Sequence, residues 1–207
     1  NEEMEDTVKK EIFKRYNSGI TPLKPTEIDK AKYFDDDLNS FIQKKLNSDK
    51  VLFGEVRELF YFEKSGLEIL LKKIRQLLVQ HKIPIKFYAI KKDTVISQYY
   101  AILSSQLETE DLSDVFSKFI QKINLLIRIK KEIHRKGFFF NRLVSECTFW
   151  ALSILEEADI PLKNLTPQII EDFASYINYN ELSFKMDRSS FFKELHNRYS
   201  VTSYFFV

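Results

Sequence analysis

The sequence predicts an all-α bundle of seven to nine helices. Three observations carry this. Glycine and proline are scarce, at 4 and 5 of 207 residues, so the chain lacks the turn chemistry of an all-β fold. Apolar residues recur at helical spacing over several long stretches. Hydrophobic residues make up 44% of the chain and include 19 phenylalanines, enough apolar mass for the core of one ordinary domain or two small ones.

The elements follow in order. Thr7 to Tyr16 reads as a helix ending near Asn17-Ser18-Gly19, where Gly19 suits the left-handed cap. Ile20-Thr21-Pro22-Leu23-Lys24-Pro25 is a stiff extended connector. Thr26 N-caps the next helix, with Glu27 in its first turn. Asp35-Asp36-Asp37 interrupts that helix or caps the following one, Leu38 to Leu46. The clearest pattern lies between Gly66 and His81. Leu67, Leu70, Leu71, Ile74, Leu77 and Leu78 form one apolar stripe, with Lys72, Lys73, Arg75 and Gln76 off it.

Ile83 to Phe87 is a short extended crossing containing Pro84. A helix capped by Asp93 carries Ile96, Tyr99, Tyr100, Leu103 and Leu107. Another follows Thr109, runs through Leu112, Phe116, Phe119, Ile123 and Ile127, and ends in basic turns. Gly137 breaks that pattern. From Phe138 to Leu155 apolar residues occur on nearly every face, which makes the Cys147–Trp150 helix the expected centre of the bundle. Thr166 caps a helix that has Pro167 at its first position. Asp187 caps the last one.

The chemistry is sparse. Thirty-two basic and 30 acidic residues leave a net charge of +2, so no bulk field selects nucleic acid or an anionic membrane. One cysteine excludes an internal disulfide framework and points to the cytoplasm. The apolar run Cys147 to Leu155 is too short to span a bilayer, so no membrane partner is expected. The chain opens on Asn1 without an initiator Met, as a piece of a longer protein would.

His81, His134 and His196 share no ligand spacing, so no metal site held by the chain itself is expected. His81 reads as a core or boundary residue, and Cys147 as an inert core thiol. No catalytic residue is assigned. The run Arg128 to Lys136 is the densest basic segment, and Arg128, Lys131 and Arg135 share a helix face that suits phosphates. The alternative is a solvated helix end whose cations complement the dipole. Arg75–His81 and Arg128–His134 also repeat an Arg-to-His spacing similar to that of all-α HEPN-class ribonucleases. Arg128 with His134 is therefore an alternative ribonuclease pair.

One segment carries a sharper signal. Phe13, Arg15, Asn17, Gly19, Leu23 and Glu27 occur in the order and spacing of a Phe-x-x-x-Asn element followed by Gly, a Leu step and a Glu-initiated helix. This resembles the end of the ParB/sulfiredoxin-like domain of the GmrSD-type family of modification-dependent restriction and phage-defence proteins. About 25 residues match closely, and the helical remainder matches loosely.

The resemblance implies that residues 1–50 are the tail of a ParB-like α+β nucleotide-binding domain and 51–207 a helical bundle domain. It assigns Phe13 and Asn17, with Arg15, to part of a nucleoside triphosphate site that uses Mg in the longer protein. The family's upstream Asp-Gly-Gln-Gln-Arg motif does not occur in these residues, nor does its His-Asn-His nuclease domain. The implied protein is an NTPase linked to DNA restriction, of which this chain alone is inactive. The implied partners are the upstream ParB-like portion, DNA, and a nuclease domain or subunit. A non-catalytic helical interaction module is the remaining alternative.

Overall fold

The computed structural model describes residues 31–60, 66–84, 92–135 and 142–160, with positions 166, 168, 169, 171, 172 and 175. Every regular element delimited among them is helical: α1 (Asp37–Ser48), α2 (Lys50–Leu59), α3 (Leu67–Val79), a 3-10 turn (Gln80–Lys82), α4 (Lys92–Ser105), α5 (Asp111–Arg135) and α6 (Arg142–Glu157). The all-α expectation holds for these residues. The elements expected before residue 31, the Gly137 break and the helix after Asp187 lie outside them.

Local chemistry sets the helix ends. The Asp36 carboxylate accepts from the Asn39 amide at 2.6 Å and starts α1. Asp49 closes one helix and opens the next. Its N–H donates to the Lys45 carbonyl at 3.1 Å, and its carboxylate accepts from the Leu52 amide at 2.9 Å. Asp93, expected as a cap, instead sits inside the first turn of α4, where its charge still favours the positive helix end. It pairs there with Lys72 of α3 at 3.2 Å. The helix expected after Thr109 begins at Asp111, whose carboxylate accepts from the Glu108 amide at 3.0 Å. The Thr166 cap is present, with its hydroxyl accepting from the Ile169 amide at 3.3 Å.

Asp159 ends α6 in the left-handed region at φ 52°. The Ile160 amide donates to the Leu155 carbonyl at 2.9 Å and the Asp159 amide to the Glu156 carbonyl at 3.1 Å. This is the paired closure usually built on glycine.

One core joins the helices. Leu38, Ile42 and Leu46 of α1 meet Leu70, Ile74 and Leu77 of α3, Phe119, Ile123 and Leu126 of α5, and Phe149 and Leu152 of α6. Residues on both sides of the 50/51 division contribute to it. The Phe119 and Phe149 rings lie 5.6 Å apart and Phe41 and Phe116 6.0 Å apart, tying α5 to α6 and α1. Residues 144 to 153 of α6 are all buried, as the all-round apolar pattern predicts.

α3 departs from the expected single stripe. It packs against α1, α4, α6 and the 3-10 turn, and Lys73, Arg75 and Gln76 are buried along with its leucines. Neighbours on several sides leave Lys73, Arg75 and Gln76 away from solvent, while Ile69 and Lys72 keep an exposed strip. No helix among the described residues is long and apolar enough to cross a membrane.

Candidate functional site

The polar interior lies on two sides of α3. Lys73, Gln76 and Gln80 recur at i, i+3 and i+7, which places them in one stripe. The Lys73 ammonium pairs with the buried Glu146 carboxylate of α6 and donates to the Gln76 side-chain carbonyl at 3.2 Å. Gln76 donates to Gln80 at 3.4 Å, and Gln80 donates to the Glu146 backbone carbonyl at 3.3 Å. The chain of donors therefore begins and ends on one residue of α6. The Phe60 ring lies 5.8 Å from the Lys73 ammonium and adds a cation–π contact.

Arg75 points the other way, two residues along and about 200° around the helix. Its guanidinium donates to Asn39 of α1 at 2.7 Å and stacks 4.0 Å over the Tyr33 ring. Tyr33 donates to Ser97 of α4 at 3.1 Å and meets the Tyr100 ring edge-on at 5.5 Å. Tyr100 in turn donates to the Asp36 carboxylate at 2.9 Å, the same oxygen that caps α1. Burial first, and the Asp36 charge second, push the Tyr100 phenol far above its ordinary range, so it stays a donor. Residues 33 to 39 are thus tied to both α3 and α4.

His81 behaves as a boundary residue, with one tenth of its side chain exposed. Its Nε2 lies 3.5 Å from Glu157, which also meets Lys82 at 3.3 Å, and its Nδ1 has no hydrogen-bond partner. Burial lowers its pKa to about 4, against the opposing pull of Glu157. The imidazole is therefore neutral near pH 7. Cys147 is buried in α6. Among the described residues no three His, Cys, Asp or Glu side chains converge as metal ligands.

The basic run forms the end of α5. Arg128, Lys131 and Arg135 are exposed. Lys131 stands 3.7 Å from Glu55 of α2, and Arg135 makes a bond of 2.7 Å to Glu132. Lys130 is buried and turned into the bundle, donating to the carboxylate and backbone carbonyl of Glu58 at 3.2 and 3.1 Å. Ser145 of α6 donates to the next carbonyl, Leu59, at 3.1 Å. Burial, then the Lys130 charge, lower the pKa of the exposed His134.

Arg128 and His134 lie six residues apart on one helix, about 120° apart around its axis. Arg75 and His81 face α1 and α6 respectively. Phe13, Arg15 and Asn17 lie outside the described residues. Sequence reasoning missed the buried set Lys73, Gln76, Gln80 and Glu146. Its one signal was a polar i, i+3, i+7 spacing beside an apolar stripe.

Neither a protein-family model, nor a curated protein, nor a solved structure matches the chain.

Proposed function

We propose that this chain is the helical portion of a GmrSD-type defence protein and serves as its coupling domain. Residues 1–50 carry the last elements of a nucleoside triphosphate site, with Phe13, Arg15 and Asn17 on the nucleotide and Mg supplied in the longer protein. Asn17 reads a base or ribose edge through its paired donor and acceptor, and Phe13 packs against the base. The bundle conveys nucleotide state to a DNA-processing domain or a second subunit. The upstream ParB-like portion completes the site.

The observation that supports this reading is the anchorage of Tyr33. It stands 16 residues after Asn17 and is buried, stacked on Arg75 of α3 and bonded to Ser97 of α4. A displacement of the preceding segment therefore bears on two core helices at once.

Nucleotide hydrolysis by the longer protein tests the reading. Asn17→Ala is expected to lower turnover at least about tenfold while thermal unfolding is unchanged. Unchanged turnover removes Asn17 from the site. An Asp-Gly-Gln-Gln-Arg stretch encoded within about 100–150 residues upstream of Asn1, one domain length, is the expected companion observation.

A further inference from the structure

We propose that the outward face of α4 is a self-association surface, and that its occupant is α4 of a second copy of this chain. From Thr94 to Leu107 there is no charged residue, the longest such run in a chain that is 30% charged. The run is not core: within it only Ile96 and Tyr100 are buried. Gln98, Ala101, Ile102 and Ser105 are exposed, Ile102 by 54%. They stand at i, i+3, i+4 and i+7, so they form one strip along the helix. Val95 and Tyr99 flank it, half-buried.

Water-facing helix surfaces ordinarily carry charge, and the other described α-helices do. Lys45 of α1, Glu58 of α2, Lys72 of α3, Lys131 of α5 and Glu156 of α6 are all exposed. A surface strip that drops charge and keeps a tyrosine and large aliphatic groups has the composition of an interface core. The strip also selects its partner. A charged group docked on it loses its water and meets no countercharge. Gln98 carries a donor and an acceptor in one side chain, so it can bond its own copy across a two-fold axis, which a lysine or a glutamate cannot. A second copy brings a strip of the same length and polarity, also without charge. The run is about 21 Å long. One helix face of that length buries well under the ~1,600 Å² of a standard interface, so the dimer is weak and exchanges with monomer.

Sedimentation equilibrium of the full 207-residue chain tests this. Between about 10 and 500 µM the average mass is expected to rise from that of one chain toward that of two. Ile102→Lys and Gln98→Lys each set like charges against one another across the two-fold axis. Each is expected to weaken association at least about tenfold, with Tm within about 2 °C of wild type because both positions are exposed. Val51→Lys is the control. It lies on α2, is 73% exposed, and is expected to leave association unchanged. The mass of a single chain at every concentration overturns the proposal. Association that survives Ile102→Lys or Gln98→Lys overturns it too, and so does equal weakening by Val51→Lys. Should Ile102→Lys fail to fold, Gln98→Lys decides alone.

Discussion

Lys130 holds Glu58 twice, by its backbone carbonyl at 3.1 Å and by its carboxylate at 3.2 Å. A side chain from α5 thereby closes the C-terminal end of α2, where unpaired carbonyls and the negative end of the helix dipole both favour a cation. The two bonds differ in weight. The ammonium is buried, whereas two thirds of the Glu58 side chain faces solvent.

Truncating the two partners should separate those weights. Lys130→Met is expected to cost about 1–2 kcal/mol, because the helix-end bond is lost inside the fold. Glu58→Gln is expected to cost under about 0.5 kcal/mol, as for an exposed ion pair. Urea unfolding of the two variants measures both, and equal losses would contradict the assignment.

Trp150 should behave as a central core residue. It is 5% exposed on a helix buried from 144 to 153. Trp150→Ala is expected to cost ~3–5 kcal/mol. A loss of under about 1 kcal/mol in equilibrium unfolding would instead place α6 at the surface.

The stability profile should show an acid limb owed to His81. Its folded pKa is lowered to about 4 from the ordinary 6.5. The unfolded chain therefore binds the proton more readily between those values, and stability rises with pH across that window. The contribution is complete above about pH 6.5 and disappears as pH falls to 4, amounting to at most about 3 kcal/mol. His81→Gln should flatten this limb. Unfolding free energies measured from pH 4 to 7 check it, and an unchanged slope would exclude His81 as the source.

The basic end of α5 should prove inert in this chain. Lys131 and Arg135 already face Glu55 and Glu132. Replacing both with alanine is expected to alter stability by no more than ~0.5 kcal/mol. It should leave DNA retention and its salt dependence unchanged. A filter-binding titration at two salt concentrations decides this. A salt slope lower by about two would make the face a phosphate contact.

Much of the described fold was legible because local signals decide it. The Leu67–Leu78 spacing locates α3 to within a residue of its ends, and the even apolar coverage around Trp150 announces a central helix. What was not legible depends on distant partners. Lys73, Arg75 and Gln76 look solvated in sequence, yet their burial is decided by Asn39 on one side and Glu146 on the other. Asp93 has the chemistry of a cap, and the helix begins one residue before it. For the basic run, the Glu132 countercharge was visible within the run, but Glu55 approaches from another helix. The Phe13–Asn17 element rests on its motif alone, since it lies outside the described residues.

The separation of 73 positions between Lys73 and Glu146 also has a meaning in time. At about 5–20 residues per second on the ribosome, Glu146 is added roughly 4–15 s after Lys73. Asn39, the partner of Arg75, has by then long been made. The nascent chain can thus dock α3 on α1 first and leave its other side open to water. On that open side the growing polypeptide presents a lysine and two glutamines rather than three more leucines. The same stripe that ends up dehydrated in the finished bundle is thus polar, not apolar, surface on any intermediate that lacks α6.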